Sequence, residues 1–269
     1  MSLFLRHVQI QIQRKGAANA KTLDGLRITA QAKRSITATP DASTVCIWGA
    51  APGSLQDLQT PGTVVRVLAG YQDQLANILS GTIRPGSLEI TRQDGEVTAA
   101  MEVVDGRIDV RANAVSRAWD NVTSDEVITW AIQASGLAKG TINPGKTVQY
   151  TRGFAAIGVV DTVFRQIAAD TESSCVVQDG IVSFYPKGQS RRSTSLVISP
   201  TSGLIGSPKR VEDGRVEVVT LLQPTLRPGD GFQVDSDSLG GKYIARDVSH
   251  DIDSWDGNFY TTVVGTLTK

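Results

Sequence analysis

The sequence predicts a mainly β protein with an α+β insert, in which two small antiparallel β-barrels flank a mixed middle module. Three observations lead there. Apolar and polar residues alternate strictly through both ends of the chain; helical spacing of apolar residues appears only in the middle; and Gly-containing turn pairs separate the alternating runs. The expected divisions are an N-terminal tube-like barrel over 1–90, an α+β middle module over 91–204 and a C-terminal barrel over 205–269.

The first third reads as strands. Val8, Ile10 and Ile12 alternate with Gln9, Gln11 and Gln13, giving one apolar and one amide face. After an Asp24-Gly25 turn, Leu26, Ile28, Ala30 and Ala32 alternate with Arg27, Thr29, Gln31 and Lys33. Val45 and Ile47 mark a third strand, entered past Pro40. Pro61-Gly62 turns the chain into the valine-rich run Thr63 to Leu68, and Leu75 to Ile83 returns, with Gly81 expected at a bulge. No helix is expected before Pro85.

The middle is mixed. Val97, Ala99, Met101 and Val103 lead into Asp105-Gly106, a hairpin signal because both residues tolerate positive φ, and Ile108, Val110 and Ala112 continue beyond it. Thr123 and Glu126 have capping-box spacing, Val127, Ile128, Ala131 and Ile132 share one helical face, and Gly136 stops the helix. Val159, Val160, Val163, Phe164, Ile167 and Ala168 predict a second helix. Asp179-Gly180 then joins two short apolar strands, Cys175 to Val177 and Ile181 to Phe184.

Strands return after residue 205. Arg215 to Leu222 forms one run, and the prolines of Pro224-Thr225-Leu226-Arg227-Pro228-Gly229-Asp230 keep that stretch out of any central ladder. Phe232 and Val234 follow, then Tyr243 to Val248 and Phe259 to Leu267, turned at Asp256-Gly257-Asn258. Pro61-Gly62 and Pro228-Gly229 each precede a strand, a loop and a return strand of similar length, a pattern that similar barrels at the two ends would produce.

Composition narrows the function. Lys plus Arg and Asp plus Glu each number 27, so the formal net charge is zero, without the basic excess that phosphate-gripping proteins carry. The basic pairs Arg14-Lys15, Lys33-Arg34, Arg191-Arg192 and Lys209-Arg210 are isolated and read as solvated surface. Leu3-Phe4-Leu5 before Arg6 is too short for a signal h-region, and no later stretch reaches bilayer-spanning length. Cys46 and Cys175 lie far apart, outside any C-x-x-C pair, and read as reduced, partly buried thiols.

Chemistry-bearing residues are few. His7 and His250 are the only histidines, and neither neighbours a nucleophile motif; a Ser-His-Asp site would have to draw on Asp247 or Asp251 beside His250. Asp230, Asp235 and Asp237 bunch in one loop without EF-hand spacing or a closing glutamate. Trp48, Trp119, Trp130 and Trp255 are dispersed and read as core or subunit-interface packing. No catalytic, cofactor or metal residue is therefore assigned, and no cofactor is expected.

The ordered set Leu221-x-x-Pro224-x-Leu226-x-Pro228-Gly229-Asp230, Phe232-x-Val234, Gly241-x-Tyr243-x-Ala245-x-x-Val248-x-His250, Trp255 and Phe259-x-Thr261 resembles the last barrel of the phage baseplate hub proteins. These are the late-control D superfamily, shared by contractile phages, phage-tail bacteriocins and the hub part of type VI secretion spikes. Arg117-Ala118-Trp119, the helix ending at Gly136-Leu137 and the following helix and hairpin resemble that family's inserted module. Asp24-Gly25-Leu26-Arg27-Ile28 is similar to its first barrel.

The resemblance implies a structural, non-enzymatic virion subunit of the tail baseplate, assembled in the host cytoplasm. Its homotrimeric ring would join a six-fold tail tube, or a tube-initiator protein, to a three-fold central spike. Baseplate wedge and tape-measure proteins are further expected partners, with no specific nucleic-acid binding. The alternatives are a tail module that binds host-surface glycan, which calls for clustered exposed aromatics, and a tail-associated cell-wall hydrolase, which calls for a carboxylate pair.

Overall fold

The computed structural model describes residues 5–36, 42–72, 74–105, 114–192 and 196–268. The chain opens with β1 (Arg6–Gln13), β2 (Lys21–Leu23), β3 (Ile28–Ser35), β4 (Ala42–Trp48), helix α1 (Pro52–Gln59), β5 (Val64–Tyr71), β6 (Gln74–Ile83), β7 (Glu89–Gln93) and β8 (Glu96–Asp105). The middle adds β9 (Ala114–Trp119), β10 (Val122–Thr123), α2 (Ser124–Ser135), β11 (Ala138–Ile142), β12 (Gln149–Tyr150), β13 (Phe154–Val159), α3 (Val160–Asp170), β14 (Ser173–Gln178) and β15 (Ile181–Pro186). It closes with β16 (Val197–Ile198), β17 (Leu204–Arg210), a 3-10 turn at Glu212–Gly214, β18 (Val216–Leu221), β19 (Gly231–Val234), β20 (Gly241–Asp253) and β21 (Phe259–Leu267). The protein is mostly β, with large antiparallel sheets.

Both ends of the chain join one sheet in the order β17-β18-β21-β20-β3-β4-β8-β6-β5-β1-β2. The seam is β20 against β3, antiparallel from Asp247 opposite Ser35 to Asp253 opposite Thr29. β20 serves two partners in turn. Its first residues pair with β19, and a register shift between Ala245 and Asp247 marks where it turns to β3. A bulge bends a strand and re-aims it, which lets one long strand belong to both halves.

Alternation explains what the sheet buries. Val8, Ile10 and Ile12 of β1 and Ile28, Ala30 and Ala32 of β3 point into one core with Val65, Val67 and Met101. Leu222, Ile252 and Phe259, from the far end of the chain, complete it. Phe259 meets Tyr71 edge to face at 5.4 Å. A second core, Val216, Val218, Phe232, Tyr243, Val248 and Val263, lies under the C-terminal strands. The third is the middle module's, where the inner faces of α2 and α3 meet Phe154, Val182 and Phe184.

The two long helices follow their sequence signals. Thr123 and Glu126 form the capping box, and Gly136 ends α2 in the left-handed region at φ 69°. In α3, Val160, Val163, Phe164, Ile167 and Ala168 are buried, while Val159 stays exposed as the N-cap. Each pair of turn residues near Pro61-Gly62 and Pro228-Gly229 precedes an antiparallel hairpin, β5–β6 and β19–β20.

Three details differ from expectation. Helix α1 lies in the first third, where none is expected; it has Pro52 at its start and no side-chain cap. Eight residues cannot hold a helix by propensity, so burial of Leu55 and Leu58 does. The bulge in β6 falls between the partners of Val67 and Leu68, not at Gly81. Gly81 instead marks a close approach, since a Cβ there would sit 2.1 Å from the Val104 carbonyl oxygen. β7 and β8 run across the division expected at 90 and pair with the first half, β8 bonding β4 and β6. The expected Asp105-Gly106 turn, the Ile108, Val110 and Ala112 run and the Pro40 bend extend outside the described residues.

Candidate functional site

The charged groups that the chain buries converge where its three cores meet. In β3 the inward positions are Ile28, Ala30, Ala32 and then Arg34, so strand parity drives a guanidinium inside, to 2% exposure. Its counter-ion comes from the middle module. Asp179 and Gly180 turn the β14–β15 hairpin at φ 51° and 76°, the positive pair that a two-residue hairpin requires. The Asp179 carboxylate accepts from Arg34 Nη1 and Nη2 at 2.8 Å each. This is the two-pronged geometry that makes guanidinium–carboxylate pairs strong.

Arg227, in the loop between β18 and β19, approaches the same carboxylate at 3.9 Å. Its Nη1 donates to the carbonyls of Pro224 and Leu226 at 2.7 and 3.0 Å, and its Nη2 donates to the Asn77 carbonyl on β6. Burial and the facing Arg34 pull its pKa down to about 9, against Asp179 and Asp230. Asp230 has no exposed surface. It accepts from Arg191 Nη2 at 2.8 Å, Arg192 Nη2 at 3.0 Å and the Arg227 backbone N–H at 3.1 Å. Gly229 lets Tyr185 pack close by, since a Cβ would lie 2.6 Å from its Oη; burial raises that phenol's pKa to about 12. His250 completes the cluster, fully buried, with Nδ1 2.9 Å from Thr261 Oγ1. Burial, then Arg227 and Arg34, hold its pKa well below the usual range, so it is neutral.

The joint is mechanical in kind. One hairpin tip, one loop and one strand from separate parts of the chain supply charges that face one another, Asp179 against Arg34 and Arg227. Removing one partner of a buried pair costs about 3–5 kcal/mol, because the other charge stays behind without water. The pairs therefore resist separation of the three parts more than they add to net stability.

Several expectations about single residues change. Arg34 and Arg191, expected on solvated surface, are anchors of this joint; basic dipeptides on a strand point to opposite faces, so Lys33 is exposed while Arg34 is not. Asp230 turns inward, away from the exposed Asp235 and Asp237. Asp251 accepts from Gln31 on the opposite face of β20 from His250. His7 Nε2 lies 3.0 Å from Asp24 at the surface. Cys46 and Cys175 are thiols of intermediate exposure, not joined in a disulfide. Trp119 and Trp130, from β9 and α2, meet edge to face at 5.0 Å, whereas Trp255 is 69% exposed at the β20–β21 turn. One signal for the joint was present in the sequence: Arg34 has the parity of an inward residue. Nothing local pointed to Asp179 as its partner.

The sheet also leaves open edges. Among the described residues β2 and β17 each have one neighbour, at opposite ends of the strand order. β17 carries the exposed Ile205 with Lys209 and Arg210. Such edges offer unpaired N–H and C=O groups to another strand.

The fold is similar to that of phage tail proteins. The 43 kDa tail protein of prophage MuSo2 from Shewanella oneidensis matches with TM-score 0.65 at 9% identity, over 97% of this chain and 98% of that one. A tail protein from Neisseria meningitidis matches at 0.62 and 10%, over 97% and 96%. A type VI secretion component from E. coli, described as similar to the T4 tail proteins gp27 and gp5, matches at 0.61 and 12%, over 96% and 77%. No curated protein sequence matches. The family model for baseplate hub gp41 matches residues 53–265, so the chain belongs to the baseplate hub gp41 family.

Proposed function

We propose that three copies of this chain form a ring at the centre of a tail baseplate, joining the tail tube on one face to the central spike on the other. The observation that carries this reading is the single sheet. Two β-rich ends of one chain are fused edge to edge through β20 and β3, so load entering one half passes to the other through backbone hydrogen bonds. The buried pairs of Arg34, Asp179, Arg227 and Asp230 fix the middle module to both. Each half is read as one tube-like barrel, and three chains then present six such units to a six-fold tube.

The free edges at β2 and β17 suit pairing between neighbouring copies, which would remove the aggregation hazard of open strands. The role is structural, with no reaction assigned, and belongs in the virion after assembly in the host cytoplasm. Tube-initiator, wedge and tape-measure proteins are the remaining proposed partners. Light scattering over a range of concentrations tests the reading. A mass near three times 28.7 kDa supports the ring. A chain that stays monomeric both alone and with its candidate spike protein would overturn it.

A further inference from the structure

Beside the joint lies a cavity of about 70 Å³ lined by Gln178, Asp179, Ser183, Arg191 and Arg227, with the exposed Ile181 at its rim. That is room for about two waters, or for one ion of chloride or formate size. We propose that this cavity binds a small monovalent anion, a role that goes beyond the hub reading and stands without it.

Two independent observations carry the proposal. The first is an orphaned amide. Gln178 is only 7% exposed, and neither its Nε2 nor its Oε1 has a hydrogen-bond partner among the described residues. Arg191 lines the cavity too, and its Nε–H is likewise buried without a partner among the described residues. Buried donors without acceptors are costly and uncommon, and these two line one small space.

The second is charge. Arg34, Arg191 and Arg227 have side chains 1%, 22% and 14% exposed, and the half-exposed Arg192 joins them, while among the described residues the carboxylates paired with them are Asp179 and Asp230. Asp179 does not repel an anion here as a free carboxylate would, because both its oxygens are already held by Arg34. An excess of partly buried cation beside unused N–H donors is the chemistry of an anion site. A monovalent ion would balance the excess, accept from Gln178 and Arg191, and tie the β14–β15 hairpin tip to the C-terminal loop.

The test is thermal unfolding of the full chain in potassium chloride and in potassium gluconate at equal ionic strength, gluconate being too large for the cavity. Chloride at about five times its Kd should raise Tm by about 2–4 °C over gluconate. A Gln178→Met variant should lose that difference while remaining at least as stable in gluconate, since its side chain asks for no partner. Equal wild-type Tm values in the two salts, or a difference that survives in the Met variant, would overturn the proposal. Crystals soaked in bromide give a second readout on the wild type. An anomalous peak between Gln178 and Arg227 supports the site, and two ordered waters with no peak refute it.

Discussion

At the scale of single residues, buried charge decides the behaviour of this protein. Asp179→Ala leaves Arg34 in a nearly dry place with no counter-ion, and should cost about 3–5 kcal/mol in urea unfolding. Adding Arg34→Met to Asp179→Ala removes the stranded charge while leaving the turn residue unchanged, and should recover much of that loss; recovery in the double variant separates the stranded charge from a lost contact or turn strain. His250 makes a pH prediction. Its folded pKa is depressed, so the unfolded chain takes up the proton first, near pH 6.5. The stability tied to this site is therefore intact above about pH 6.5 and falls below it, by up to about 1.4 kcal/mol per pH unit. Carboxylates with depressed values, such as Glu126 held by the Thr123 backbone N–H, lose their contribution only as pH falls below about 4.5, outside this window. Urea titrations from pH 7 to 5 should show the slope in the wild type and its absence in His250→Gln.

At the scale of elements, each helix is held in a different way. Helix α2 has a full capping box and a left-handed Gly136 stop, so Thr123→Ala should cost about 1 kcal/mol of unfolding free energy. That loss should appear in denaturant midpoints with an unchanged m-value. Helix α3 lacks a side-chain cap and is held by its buried face, with Phe164 against Phe184 at 5.9 Å. The capping box and the α3 stripe are legible in the sequence because both are local patterns at fixed spacing. Helix α1 is not, because its reason for existing is the β1 surface that Leu55 and Leu58 cover. Gly81 is similar: a glycine in a strand reads equally as a bulge or as a close approach, and only the position of Val104 decides.

At the scale of the whole molecule, the β20–β3 seam is the consequential feature. Leu222, Ile252 and Phe259 complete the core of the N-terminal half, and Arg227 donates to Asn77 on β6. The two ends therefore share both backbone pairing and side-chain packing. Hydrogen exchange should find β3 and β20 amides opening together, with one free energy, in a single global transition. Amides of β3 that exchange well before those of β20 would show that the halves open separately. Long contacts of this kind also imply slow folding, since the first strands wait for the last.

The sequence by itself determined the β character of both ends, the two long helices, the capping box and glycine stop of α2, the Asp179-Gly180 turn and the resemblance to tail hub proteins, because each rests on alternation, helical period or turn chemistry within a few residues. The tertiary structure alone decided that the two ends share one sheet, that β7 and β8 side with the first half, that Trp119 and Trp130 meet, that Arg34 and Asp230 lie inside, and that Arg191 pairs with Asp230. Strand pairing and counter-ion choice link positions far apart along the chain, Arg34 to Asp179 and Ser35 to Asp247. No local pattern records which distant strand or charge will be the partner; that choice is made by which arrangement buries the apolar faces and leaves the fewest charges unpaired.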